Sequence, residues 1–326
     1  MAAPSTDRER QIREAGELLG TERHRSLAKG LFFGRLDHEL AFPYPGLLPA
    51  EAEGFPALLE QIRTFLREEV DPVRIDREAR VPDEVTSRLF DLGVMTMSIP
   101  REYGGLGLSQ FAYCRIMQEI GAVDGSLAVL VNVHQGIGVR SLLLFGTPEQ
   151  QADWLPRLVE GRVLSAFALT EPNAGSDAGG IETFAVPAPD GKHYVLNGRK
   201  QWITNGGIAG LLTVMAKVPG TQDERGRERI TAFLVTPDMP GFQVVDRAME
   251  KLGIRGTWTA KLAFHDLKVP AENIIGPPGK GLRVALTLLD YGRTTFGATC
   301  TGAALRCLRD SVAHCRTRRQ FGKPLI

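Results

Sequence analysis

The sequence predicts an α+β chain in which a helical segment, a β segment and a second helical segment follow one another. Three observations support this. From residue 50 to about 160, apolar residues recur at helical spacing, as in "EGFPALLEQIRTFLREEV", where Leu58, Ile62, Phe65 and Leu66 fall on one face. From Val163 the texture changes to short alternating runs separated by turn residues. From Gly281 to about residue 318 the helical texture returns with no proline to interrupt it. A helix of that length draws its stability from packed neighbours, so a bundle is expected there.

Each element has a local justification. Residues 1–49 read as a lead, with a polar helix over about 8–29 that "FPYPG" (42–46) breaks, because two prolines fix φ and remove donors. Residues 50–162 read as an N-terminal helical domain. Within it "PDEVTSRLFDLGV" opens on Pro-Asp and stops at a glycine, Ser109 is placed to cap "SQFAYCRIMQEIGAV", and Thr147 is placed to cap "TPEQQADWLPRLVEG". Residues 163–276 read as a middle, β-barrel-like domain built from "HYVLNGRKQWITNG", "LLTVMAKV", "RITAFLVT", "FQVVD" and "KLAFHDLKV". Asn197 with Gly198, Asn205 with Gly206, and the Pro189, Asp190, Gly191 run are hairpin signals. Residues 277–326 read as the start of a C-terminal helical bundle.

Composition narrows the function. The 326 residues are 43% hydrophobic and 24% charged, ordinary for a soluble globular chain. A net charge of +1 gives no basic field for nucleic acid. Cys114, Cys300, Cys307 and Cys315 show neither C-x-x-C pairing nor zinc spacing, so no metal site is expected and a reducing compartment is. The first residues carry charges of both signs and lack an apolar run, and the longest apolar runs, 127–131 and 142–145, fall short of a membrane span. A cytoplasmic protein without membrane binding is the expectation.

Dinucleotide and phosphate-loop fingerprints are absent, as is a nucleophile elbow. His134, set among apolar residues in "NVHQG", reads as a packed, hydrogen-bonded core residue. Four stretches stand out. "FALTEPNAGSDAGG" (167–180) gathers small residues around Thr170, Asn173, Ser176 and Asp177, which permits close backbone approach to an anion or is an ordinary glycine-rich loop. "GRKQWITNGG" (198–207) sets Trp202 where it could face a planar ligand or fill a strand core. "DYGR" (290–293) lies in the long helix, as ligand contacts or a solvated charge pair. "RRQFGKP" (318–324) reads alone as a basic helix end.

Together and in this order, with "YGGLGL" (103–108), these stretches resemble the acyl-CoA dehydrogenase family, from about residue 50 to the last. "SLAKGLFFGRLDHELAFPYP" (26–45), "HQGIG" (134–138) and "LLLFGT" (142–147) look most like its very-long-chain branch. The resemblance implies FAD-dependent α,β-dehydrogenation of a fatty acyl-CoA to the trans-2-enoyl-CoA, with electrons passed to an electron-transfer flavoprotein. It implies FAD contacts from Phe167, Leu169, Thr170, Gly175, Ser176, Trp202, Ile203 and Thr204. It implies substrate contacts from Ser176, Asp290, Tyr291, Gly292 and Arg293. Arg318, Gln320 and Phe321 match the segment that reaches FAD in a neighbouring subunit, which implies a homodimer or homotetramer. The family's base is a glutamate. At the long-helix position that supplies it in some branches stands Gly292, and Asp290 is turned about 200° away. No catalytic base is therefore expected among these residues; the expectation is a glutamate beyond residue 326, with the bundle stopping short here. Asn132 and Val133 stand where the very-long-chain branch has small residues, an expectation of a shortened acyl pocket. Two alternatives share the fold: an oxygen-using acyl-CoA oxidase, and a non-catalytic paralogue acting as a binding partner.

Overall fold

A computed structural model describes residues 26–32, 34–222 and 226–326. Most of the expected polar helix over 8–29 lies outside the described residues. The chain divides into two units, Met1–Leu47 and Leu48–Ile326. In the first, α1 (Leu27–Phe32) and α2 (His38–Ala41) are short, and extended backbone at Phe42 ends α2 ahead of Pro43.

The second unit begins with helices stopped and started by local chemistry. In α3 (Phe55–Glu68) the buried face is Phe55, Leu59, Ile62, Phe65 and Leu66. Ile62, Phe65 and Leu66 are buried as expected, but Leu58 is only half-buried, and Leu59 takes its place in the inward stripe. In α4 (Pro72–Glu78) the Asp71 carboxylate accepts from the Val73 and Arg74 amides at 3.0 and 3.1 Å. Then α5 (Asp83–Asp91) is followed by Gly93 at φ 72°, where a Cβ would meet Leu106 at 2.7 Å. Ser109 caps α6 (Gln110–Gly121) through the Ala112 amide at 3.2 Å. Asp124 caps α7 (Gly125–Asn132). A π-helical segment, Val133–Val139, carries α7 into α8 (Arg140–Phe145). Thr147 and Gln150 form a reciprocal capping box on α9 (Pro148–Glu160).

The stretch Gly125–Phe145 is long and apolar enough, by length and composition, to cross a bilayer, and 67% of its apolar window is buried inside the fold. Between the apolar runs 127–131 and 142–145 stand Asn132, His134 and Gln135, which the fold buries with hydrogen bonds, as in an internal core helix.

The β layer holds β1 (Ser165–Ala168), β2 (Phe184–Pro187), β3 (His193–Ile203), β4 (Leu211–Gln222), β5 (Glu228–Val235), β6 (Phe242–Asp246), β7 (Ala260–Pro270) and β8 (Ile274–Ile275). They form one mixed sheet in the order β6-β7-β3-β2-β4-β5-β8, with β1 parallel to the first half of β4. Along β4, Leu211 and Met215 face the helices while Leu212, Val214 and Ala216 face a second core with Leu196, Phe233, Leu262 and Phe264. Burial on both faces explains the nearly unbroken apolar run of "LLTVMA".

Only one of the three hairpin signals makes a hairpin. The run at 189–191 joins antiparallel β2 and β3. Asn197 and Gly198 instead lie inside β3, opposite a bulge in β7 where His265 and Asp266 stand against Asn197 alone: Asn197 exchanges hydrogen bonds with Asp266, and a Cβ at Gly198 would strike Thr183. Asn205 and Gly206 end β3 without a hairpin, because the chain continues to β4, which pairs with β1, β2 and β5. Asn205 is buried there, donating to the Leu130 carbonyl at 3.1 Å.

The long helix is α10 (Gly281–Thr317), 37 residues. It crosses α6 where Gly302 meets Gln118 and Gly121 meets Thr299, positions with no room for a Cβ. Its buried residues run from Gly281 to Gly302. A two-stranded hairpin of β9 (Arg319–Gln320) and β10 (Lys323–Pro324) follows.

His134 pins the helical layer to the sheet. Its Nε2 donates to the Met95 carbonyl at 2.9 Å and its Nδ1 accepts from the Ser165 amide at 3.0 Å. Burial pulls its pKa from 6.5 to about 4, more than the Met95 bond restores. Between those values the unfolded chain holds a proton that the folded chain refuses, so His134 favours folding above pH 6.5 and that contribution is lost as pH falls toward 4. At about 1.4 kcal/mol per pKa unit the loss is about 3 kcal/mol. Urea midpoints should fall from about pH 7 to about pH 5, and fall less steeply in a His134→Gln variant; equal slopes would contradict this.

Candidate active site

Four stretches far apart in sequence meet around one cavity of about 330 Å³. The strand β1 delivers Phe167, and the loop after it delivers Leu169, Thr170, Gly175, Ser176 and Ala178. The end of β3 delivers Trp202, Ile203 and Thr204. The helical wall is Val133 and Ile137 from the π segment with Leu286, Leu289 and Arg293 from α10. Trp202 stands at φ 62°, in the left-handed region, and leaves 50% of its surface exposed. That conformation follows the irregular register of β3 against β7 between Lys200 and Ile203. The outcome is a flat aromatic on one side, apolar side chains behind, and three hydroxyls, Thr170, Ser176 and Thr204, on the lining. No carboxylate is among the cavity's lining residues.

All eight residues nominated from the β segment line this one cavity, and so does Arg293. The other nominated residues lie elsewhere. The Asp290 side chain is 74% exposed and accepts from Arg293 at 2.7 Å. Tyr291 lies under the Arg140 guanidinium at 5.1 Å. Gly292 is buried against Ile137, whose Cγ2 would stand 3.1 Å from a Cβ. Arg318, Gln320 and Phe321 are exposed, Phe321 at 99%. At about 1.5 Å per helical residue they lie roughly 40 Å along the chain from Arg293, so one copy of the chain does not bring them to the cavity. Val133 was singled out only as narrowing the acyl pocket, and Ile137, Ala178, Leu286 and Leu289 were not nominated: on an apolar helix face or in a small-residue loop, sequence spacing does not tell cavity wall from core.

A buried ion pair holds the two β-derived arms together. Lys200 Nζ donates to Glu171 Oε1 at 2.7 Å and to the Leu169 carbonyl at 3.0 Å. The Glu171 carboxylate also accepts from the amides of Glu182 and Thr183 at 2.5 and 3.1 Å. The two side chains are 0% and 3% exposed. Burial alone would raise the Glu171 pKa, but Lys200 and these hydrogen bonds outweigh it and hold the carboxyl below its usual range. At Lys200 burial wins over the attraction of Glu171 and brings the ammonium down to about 8. Lys200 shares strand parity with buried Leu196. Removing one partner should strand a buried charge and cost about 3–5 kcal/mol. Urea unfolding of Lys200→Met should show a loss of that size, and a loss under about 1 kcal/mol would match an exposed pair instead.

The chain matches the family described as acyl-CoA dehydrogenase, N-terminal domain over residues 54–162, middle domain over 166–267 and C-terminal domain over 279–326. It is 38% identical over 304 residues to the human very long-chain specific acyl-CoA dehydrogenase, mitochondrial, covering 92% of this chain and 46% of that protein. It is 42% identical over 301 residues to the probable acyl-CoA dehydrogenase FadE10 of Mycobacterium tuberculosis, again 92% of this chain and 46% of the relative. The chain thus spans a little under half the length of these curated relatives. Among solved structures, butyryl-CoA dehydrogenase from Megasphaera elsdenii aligns with a TM-score of 0.76 at 36% identity, covering 83% of this chain and 71% of the other. An acyl-CoA dehydrogenase complexed with FAD from Bacillus anthracis aligns with a TM-score of 0.75 at 33% identity, covering 83% and 46%. On these matches, which take in its helical, β and long-helix segments alike, the chain belongs to the acyl-CoA dehydrogenase family.

Proposed function

We propose that this chain forms the flavin- and acyl-CoA-holding part of an FAD-dependent dehydrogenase that converts fatty acyl-CoA to trans-2-enoyl-CoA and passes electrons to an electron-transfer flavoprotein. The observation that carries this reading is the convergence of Phe167, Leu169, Thr170, Gly175, Ser176, Trp202, Ile203 and Thr204 on one cavity. Its volume lies at the low end of the ~300–1,000 Å³ range of small-ligand pockets.

The lining fits FAD. The half-exposed indole of Trp202 offers a flat face to a planar ring, and the hydroxyls of Thr170, Ser176 and Thr204 offer donors and acceptors around it. At Gly175 a Cβ would meet nothing within 4 Å, which leaves the backbone open to close approach. Bound there, FAD supplies the acceptor for the hydride that leaves the β-carbon. The residues of the chain do the rest. Leu286, Leu289, Val133 and Ile137 keep water from the acyl chain, and Arg293, on an exposed turn of α10, offers positive charge to phosphate. The α-proton's acceptor is assigned to none of the described residues, since no lining side chain is a carboxylate. In a homodimer or homotetramer, exposed Phe321 with Arg318 and Gln320 would reach the neighbour's cofactor.

The test is flavin binding by the whole chain. FAD titrated into the purified protein should quench tryptophan fluorescence and saturate, and Trp202→Ala should weaken the affinity about ten-fold, the size of a lost stacking contact plus its apolar area. An acyl-CoA should then perturb the bound flavin's absorbance. No saturable binding, or an unchanged affinity in Trp202→Ala, would contradict the reading.

A further inference from the structure

We propose that the outer face of the β layer carries a second binding site, one that takes a nucleoside phosphate. The site is a cavity of about 360 Å³ across β6, β7 and β3, and it shares no lining residue with the candidate active site.

An alanine makes the cavity. Ala263 on β7 lies in register with Arg199 on β3 and with Gln243 on β6, so the three side chains stand on one face of the sheet. Lys261 and His265, two positions away on the same strand, line the cavity as well. Each of these neighbours is longer than Ala263, which is buried at 2% exposure and floors the depression between them. Lys200, between Arg199 and Gln201, turns inward to Glu171. The strand that frames this cavity on one face therefore anchors the loop of the candidate active site on the other.

The rim is cationic and unpaired. Among the described residues, the Arg199 guanidinium and the Lys261 ammonium have neither an ion pair nor a side-chain hydrogen bond, and no carboxylate lines the cavity. Asp246, opposite Lys261 in register, accepts instead from the Ala248 amide at 3.2 Å. Two fixed positive charges around one depression call for an anion, and a guanidinium beside an ammonium matches phosphate. The rest of the lining selects among phosphates. Val245, Ala263 and Pro172 are apolar, so the hydroxyls of a sugar would find no partners on them, whereas a flat base gains by covering them. The side-chain amides of Gln201 and Gln243 have no partner among the described residues, and they can donate to and accept from a base edge.

The experiment is calorimetric titration of ADP, and separately of pyrophosphate, into the full chain loaded with FAD and freed of excess. ADP should saturate a single site, and pyrophosphate should bind at least about ten-fold more weakly, having no base to cover the apolar floor. Arg199→Ala with Lys261→Ala should weaken ADP at least about ten-fold, the size of a lost charge-assisted contact. Ala263→Phe keeps both charges, fills the floor with a residue favoured in strands, and should weaken ADP by about as much. Trp202→Ala, in the other cavity, should leave ADP affinity within about two-fold, and the Arg199 and Lys261 changes should leave FAD affinity within the same range. Absence of saturable ADP binding overturns the proposal. So does pyrophosphate that binds as tightly as ADP, or ADP affinity unchanged in the folded charge variant. ADP binding lost in Trp202→Ala would put the nucleotide in the flavin cavity and overturn it too. Should Ala263→Phe not fold, the charge variant and the pyrophosphate comparison decide. Failure of FAD to bind would overturn the flavin reading alone, and the ADP titrations then decide this proposal on the chain without FAD.

Discussion

The candidate site depends on the contact between Lys200 and Glu171. The loop that carries Thr170, Gly175 and Ser176 has few apolar side chains of its own and one isolated bridge, Glu171 with Ala174, to shape it. What fixes it to β3 is an ammonium held at once by the Glu171 carboxylate and the Leu169 carbonyl, with the backbone bond from the Gln201 amide to the Thr170 carbonyl at 2.9 Å beside it. Two residues beyond Lys200 the strand presents Trp202. The register between the hydroxyl-bearing loop and the indole is therefore set through a charge pair in a site nearly closed to water. A pair so deeply buried is costly to desolvate, and it holds only because Glu171 has amide donors and Lys200 has a carbonyl acceptor as well. Its value to the chain lies in specifying geometry; an apolar pair of similar volume would leave the loop's backbone groups without these partners.

A second constraint sets the helical wall. The crossing of α10 over α6 is tight because Gly121 and Gly302 leave no space for a Cβ, and this fixes the helix that carries Leu286, Leu289 and Arg293. The π segment is the other half of that wall. Its altered winding takes His134 and Gln135 inward, where the Met95 carbonyl binds both, while Val133 and Ile137 remain on the cavity.

The parts of this arrangement that sequence reveals are those encoded locally. Caps at Ser109 and Thr147, the stop at Gly93 and the change of texture at Val163 each depend on a few adjacent residues, and each stands where expected. The gathering of the β-segment site residues was legible only through their resemblance to a family pattern, since a glycine-rich loop and a strand tryptophan each have an ordinary explanation. What stayed hidden depends on partners distant in sequence. Asn197 and Gly198 carry a turn signal, yet the bonds to Asp266 and the crowding at Thr183 keep them inside β3, opposite a bulge in β7. Leu59 displaced Leu58 because neighbouring helices choose the inward row. Lys200 is a solvent-seeking residue by composition, and only the position of Glu171 explains its burial. Asn132 is buried with hydrogen-bond partners, Tyr113 and Thr295, that lie at sequence distances of 19 and 163.

The central claim is that the ion pair, through the loop it holds, sets the affinity of the cavity for flavin. A double-mutant cycle on FAD affinity tests it most directly, using Lys200→Met, Glu171→Gln and both together. Each single change should weaken FAD at least about ten-fold, and the double variant should bind about as well as the weaker single, because both remove the same contact. Additive losses, or singles that fold and bind FAD like the unaltered chain, would contradict the account.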